Sequence, residues 1–206
     1  NVLIDNQHMK DRILLEEVPS GQEYLSGIIE AMKQGNLVNI TYQSYWRKNS
    51  NTFDVEPYCV KLFKQRWYLI ARSPYYDKVM TYALDRILDL EVLADEKFSM
   101  PDTFIPSEFF EEYYGVVFDE DLAVEKIKLK VSADQANYLR SLPLHHSQQE
   151  NQTTDKYSIF ELELCPTYDF YQEILRNGEE IEVLEPLWLR KEIAGEIEKM
   201  WNKYKS

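Results

Sequence analysis

"KQRWYLIARS", Lys64 to Ser73, is the stretch whose reading decides the first half of this chain. From Arg66 to Arg72 its residues alternate. Trp67, Leu69 and Ala71 make one face uniformly apolar, while Arg66, Tyr68, Ile70 and Arg72 make the other mixed. A period of two in a run rich in aromatic and aliphatic residues is the pattern of a half-buried strand. The apolar face belongs in a core, with Trp67 as its filler. The other face sets a tyrosine beside cations.

Working outward, the same period holds on both sides. "LVNITYQSY" from Leu37 alternates Val38, Ile40 and Tyr42 against Asn39, Thr41 and Gln43. "TFDVEPYCVKLF" (52–63) is a second strand, with Pro57 marking an edge or a bulge because proline lacks the ladder N–H. "KQ" is a tight turn before the quoted strand, and "PYYD" a turn after it. "KVMTYAL" (78–84) and "DRILDLEVLA" (85–94) supply two more strands. Upstream, Leu25, Ile28, Ile29 and Met32 fall at helical spacing and Gly35 follows as a C-cap. One helix and five short strands with short connections suit a small closed β-barrel.

Beyond Ala94 the pattern changes. Residues 95–122 carry two prolines and an acidic run and read as a connector, with a short helix in "PSEFFEEYYG" capped by Ser107. Then "EKIKLKVS" reads as a strand, "ADQANYLRSL" as a helix, and "LHHSQQENQTTDK" as a polar turn with a weak strand. "YSIFELELCP" is a strand, "TYDFYQEILRNG" a helix, "EEIEVLEP" a strand, and "LWLRKEIAGEIEKMWNKY" a long terminal helix. That order, β-α-β-β-α-β plus a helix, is ferredoxin-like. The expected fold class is α+β. A linker occupies 1–20, the barrel 21–94, the connector 95–122 and the ferredoxin-like domain 123–206.

Charge is unevenly spread. The chain of 206 residues has a net charge of −13. Residues 1–94 hold 11 Lys/Arg against 12 Asp/Glu, whereas 95–206 hold 12 against 24. Within 42–86 the balance reverses, with 8 cations against 4 acids. A basic island thus sits in an acidic chain, and it matters for binding if its cations converge in space.

Catalytic motifs are scarce. The six glycines form no dinucleotide or phosphate-loop pattern. Cys59 and Cys165 lie far apart in apolar runs and read as reduced, buried thiols. His8, His145 and His146 have no metal-ligand spacing, and no strained serine turn accompanies them. The expectation is a protein that is not an enzyme and uses no cofactor. No apolar run is long enough to span a membrane. The first residues lack the basic segment and unbroken apolar core of a signal peptide. A start without Met is read as a piece of a longer, cytoplasmic protein.

What remains is the set of cations and hydroxyls at strand ends. Arginine forks chelate phosphate oxygens, hydroxyls donate hydrogen bonds and rings stack on bases. Tyr42, Ser44, Tyr68, Arg72 and Arg86 are the candidate ligand residues. Arg86 also has ordinary ion-pair partners within reach in Asp85 or Asp89. A competing reading is a protein-interaction module, with Trp188, Met200 and Trp201 displayed by the terminal helix beside an acidic surface.

"RWYLIAR" (66–72) resembles the signature of WYL domains, named for the triplet Trp67-Tyr68-Leu69. "ITYQS" (40–44) resembles the family's first-strand motif, "VEPYCVKLFKQRWYL" (55–69) its Pro-Tyr strand and triplet, and "TYALDRI" (81–87) its closing element. "VLEPLWLRKEI" (183–193) resembles the extension domain that follows many WYL domains. The resemblance implies an Sm-like, SH3-type barrel in a bacterial transcription regulator. It implies a nucleic-acid or nucleotide ligand, promoter DNA bound through a DNA-binding domain preceding Asn1, and a homodimer. Arg86 matches the closing-element arginine. Met80 and Ala83 stand where family members often carry arginine, which implies a smaller or less charged ligand.

Overall fold

A computed structural model describes residues 20–205, so the linker expected over 1–20 falls almost wholly outside the described residues. The chain divides into two compact units, one ending at Pro101 and the other beginning at Asp102.

In the first unit a 3-10 turn, Gln22–Tyr24, leads into helix α1, Leu25–Gln34. Ile28 and Ala31 are fully buried, whereas Ile29 is left exposed, so the core-facing stripe is narrower than the sequence spacing indicates. Gly35 ends the helix in the left-handed conformation (φ 65°), its N–H bonding to Ala31 and Met32 carbonyls. Five strands follow: β1 Asn36–Tyr42, β2 Asn51–Phe63, β3 Arg66–Ser73, β4 Lys78–Ala83 and β5 Ile87–Lys97. A second 3-10 turn, Leu84–Arg86, separates β4 from β5. The β2–β3 turn has positive φ at both Lys64 (45°) and Gln65 (64°), the backbone twist that suits a two-residue hairpin. The β2–β3 register slips between Pro57 and Cys59, so Pro57 sits at a bulge.

The sheet is antiparallel in the order β4-β3-β2-β1-β5. The expected closed barrel is not formed. The turn at 84–86 redirects the chain so that β5 pairs along β1 and not along β4, which leaves β4 and β5 as the two edges. Val38, Ile40, Val55, Leu69, Ala71 and Leu84 make the core with Ile28, and Trp67 packs against it, as its alternation indicates.

The second unit contains a single helical turn, α2 Pro106–Phe109. Strands β6 Glu125–Ser132, β7 Gln149–Thr153, β8 Tyr157–Leu164 and β9 Ile181–Glu185 follow, with helices α3 Ala133–Ser141, α4 Tyr168–Arg176 and α5 Leu187–Tyr204. The β-α-β-β-α-β order read from the sequence is the order observed, and the antiparallel sheet runs β7-β8-β6-β9. Ile127, Leu129 and Val131 of β6 pack with Phe160, Leu162, Phe170, Leu189 and Ile193. The helix expected around Ser107 shrinks to one turn with Ile105, not Ser107, at its N-cap, because Pro106 takes the first helical position. From Asp102 onward the stretch read as a connector is built into this unit. Cys165 N–H donates to the Glu112 carbonyl at 2.7 Å, and Asp169 Oδ2 accepts from Val116 and Val117 N–H at 2.8 and 2.9 Å. His145 Nδ1 and Ser147 Oγ lie 2.7 Å apart and His146 Nε2 is 2.8 Å from the Glu111 carbonyl, so the histidine pair fastens a loop.

One ion pair ties the exposed strand β7 down. Arg140 on α3 forks onto Glu150, Nε to Oε2 at 2.9 Å and Nη2 to Oε1 at 2.6 Å. The Arg140 fork, with Ser158 and Thr153, lowers the Glu150 carboxyl to about 2. A carboxyl whose folded pKa is depressed contributes stability above its ordinary pKa near 4.5, and that contribution disappears as pH falls toward 2. Glu150→Gln is therefore expected to unfold more easily than the parent at pH 6 but equally at pH 2. Urea titrations at the two pH values read this; a constant difference across the range would refute it.

Candidate ligand site

The first unit gathers cations and rings where β1, β3 and the 84–86 turn meet. β3 supplies Arg66 and Tyr68 from the face opposite Trp67, Leu69 and Ala71. Tyr68 is in register with Ala83, the last residue of β4, so the 3-10 turn that follows lands beside the start of β3. β1 ends nearby, since Gln43 N–H donates to the Arg86 carbonyl at 2.9 Å and Ala83 N–H to the Tyr42 hydroxyl at 3.3 Å.

In a 3-10 turn successive side chains point about a third of a turn apart. Asp85 and Arg86 accordingly find different partners. Asp85 Oδ2 lies 3.1 Å from Arg66 Nε, an ion pair without good hydrogen-bond alignment, and 3.5 Å from the Tyr45 hydroxyl. Arg86 instead lies under the Tyr45 ring, with Cζ 4.2 Å from its centroid. No carboxylate pairs with Arg86 among the described residues. Burial raises the Tyr42 pKa, and the neighbouring Arg86 charge partly offsets it. Burial opposes the Arg66 charge, yet the Tyr68 hydrogen bond and Asp85 outweigh it and its pKa rises. Arg66 Nε, Asp85 Oδ1 and Arg86 Nε are all buried without a hydrogen-bond partner. Such atoms are rare because each forfeits its solvation. The two arginine Nε groups are donors and suit an anion, whereas Asp85 Oδ1 is an acceptor and suits a water or another donor.

The structure therefore brings together Tyr42, Tyr68 and Arg86 of the residues picked from sequence. Ser44 lies beside them but serves the turn, where its Oγ accepts Trp46 N–H at 3.3 Å. Arg72 is elsewhere. It sits four residues along β3, roughly 13 Å at the rise of a strand, and its guanidinium is committed to acids. Nη1 donates to Glu56 Oε1 at 2.9 Å, and Nε and Nη2 to Asp77 Oδ1 at 3.0 and 2.5 Å. The hydrogen bonds to Asp77 and Glu56 raise its pKa further. Tyr45, Arg66 and Asp85 join this cluster and were not among the residues picked from sequence. The shared face of Arg66 and Tyr68 was the available signal for the first, while the partners of Tyr45 and Asp85 depend on the turn geometry.

Comparison with known proteins agrees with the resemblance. Residues 23–92 match the WYL domain, and residues 123–201 match the WCX domain. The chain thus carries a WYL domain followed by a WCX domain. Among solved structures it is similar to proteasome accessory factor B/C (PafBC) of Arthrobacter aurescens, at 19% identity and a TM-score of 0.43, over 88% of this chain and 27% of that one. It is also similar to a CRISPR Cas-related protein, at 13% identity and a TM-score of 0.51, over 90% of this chain and 53% of that one. The second likeness speaks of the fold alone. The chain thus spans about a quarter of the first structure's length and half of the second's. No curated protein matches it.

Proposed function

We propose that this chain is the sensing part of a longer, cytoplasmic bacterial transcription regulator. Its WYL domain, taken as 21–94 and Sm-like in design, binds an anionic nucleic-acid-type ligand, a single-stranded oligonucleotide or a nucleotide. A ferredoxin-like WCX domain, 123–206, follows the connector at 95–122. The mechanism is non-catalytic and needs no cofactor. Ligand acts by binding one state of the regulator better than another, and promoter DNA is met by a domain outside this sequence.

The observation that carries the reading is Arg86: a guanidinium with no carboxylate partner among the described residues, stacked on Tyr45, with a buried Nε that makes no hydrogen bond. Tyr42, Tyr68 and Arg66 supply hydroxyls and a second cation around it. Ala83, only 2% exposed, gives its N–H to Tyr42, so a bulky cation at that position would not fit this packing. The ligand is accordingly one of modest charge.

The test is to incubate the protein with short single-stranded DNA, RNA and cyclic nucleotides, then identify by native mass spectrometry what stays bound. The retained species is expected to bind with an affinity that falls linearly on a log–log salt plot, as phosphate contacts require. Retention of nothing, or salt-insensitive binding, would count against the site.

A second reading concerns the WCX unit. Ile197, Met200, Trp201 and Tyr204 are exposed along α5 at 52%, 48%, 60% and 83%, spaced as one helical stripe. They support a homodimer or other protein contact, which is governed by apolar area and nearly indifferent to salt.

A further inference from the structure

The turn after β1 carries a set of groups that the Arg86 cluster does not use. Between Glu30 and Asp54 the chain has no acidic residue, yet it has Lys33, Arg47 and Lys48. Residues 45–50 are all exposed, and the Trp46 side chain stands almost wholly in solvent at 94%. The turn is nevertheless built firmly. Gln43 Nε2 donates to the carbonyls of Ser44 and Arg47 at 3.1 and 2.7 Å, and Arg47 N–H to Ser44 O at 3.1 Å. Trp46 N–H is held by Ser44 Oγ. Tyr45 is turned in over Arg86 while its neighbour is turned out. A large apolar ring displayed in this way gains nothing for folding. Arg47 and Lys48 beside it form no ion pair among the described residues.

We propose that this turn is a stacking arm for single-stranded nucleic acid: Trp46 receives the face of an unpaired base while Arg47 and Lys48 meet the flanking phosphates. The inference rests on the reading of the Arg86 site and deepens it. Rings interleaved with cations are what sequence-tolerant single-strand binding requires, since every base has a π-face and every link a charge. A duplex hides those faces, so it is disfavoured. Tyr45 separates the inward cluster from the outward ring. A ligand engaging both is expected to have more than one nucleotide, which a length series tests.

The experiment is a titration of the full chain with single strands from a dinucleotide to an octanucleotide, with the corresponding duplex, and with vesicles of anionic phospholipid, reading tryptophan emission and polarisation. The octanucleotide is expected to quench emission and to bind more tightly than the dinucleotide or the duplex. Trp46→Ala should remove the quench and weaken binding about tenfold, whereas Trp201→Phe leaves both unchanged. Replacing Arg47 and Lys48 with alanine should flatten the salt slope by about 1.4, about 0.7 for each phosphate contact removed. Equal quenching and affinity in Trp46→Ala, or a dinucleotide as tight as the octanucleotide, would overturn the arm. A blue shift with vesicles and no response to oligonucleotides would also overturn it and assign the turn to a lipid surface. Binding that needs Arg86 but not Trp46 would discard the arm and keep the site, while binding that needs neither would discard both.

Discussion

Replacing Arg86 with alanine is expected to lower affinity for a short single strand by about a hundredfold, the usual range when one partner of a desolvated charge contact is removed. Folding stability should change by no more than about 1 kcal/mol. What the fold loses is one cation–π contact to an exposed tyrosine, worth about 0.5–1 kcal/mol, and a hydrogen bond to the Tyr42 side chain, offset in part by removal of a buried Nε that makes no hydrogen bond. Arg72→Ala is the matching control, and its outcome should be the reverse. Its guanidinium is already saturated by Glu56 and Asp77, so binding stays as it was while the melting temperature drops. Fluorescence polarisation on both variants, with thermal melts alongside, separates the two. An Arg86→Ala protein that binds like the parent would remove Arg86 from the site.

The largest effect on folding is expected at Gly21. Its φ is +106°, a conformation that L side chains rarely adopt. A methyl group there would fall 2.4 Å from the Leu84 carbonyl carbon, 2.5 Å from its oxygen and 2.7 Å from Asp85 N. These are backbone atoms, so no rotamer change relieves the overlap. Gly21→Ala combines a disfavoured backbone with a displaced turn and should cost about 3 kcal/mol or more. The turn it displaces carries Asp85 and Arg86, so ligand affinity should fall with stability. Urea unfolding of the variant checks the first point, and a loss below about 1 kcal/mol would show that the 84–86 turn yields easily.

Much of this was legible in the sequence, and the limits follow from range. Alternation along Arg66–Arg72 placed Trp67 correctly because a strand's two faces are fixed by local geometry. Pro57 announced a bulge because a missing N–H is a property of the residue itself. The partners of Arg72 were not legible. Glu56 lies 16 residues earlier across a ladder whose register slips at Pro57, and no local pattern reports such a slip. Asp85 and Arg86 look like mutual neighbours in the sequence, yet the 3-10 turn sends one to Arg66 and the other to Tyr45. The barrel expectation failed similarly: strand count was readable, but whether the last strand pairs with β4 depends on that same turn. Trp46 was not singled out at all, because exposure has no signature in a single residue's identity.

The unclosed sheet carries its own cost. Among the described residues nothing pairs with the outer side of β5, and such an edge presents a row of amide and carbonyl groups that another chain's strand is able to copy in concentrated solution. Asp89, Glu91, Asp95 and Glu96 stand exposed along that border. Their mutual repulsion with any second border of the same kind acts as a fence. The acidity that looks unsuited to holding an anion thereby keeps neighbouring molecules from zipping together.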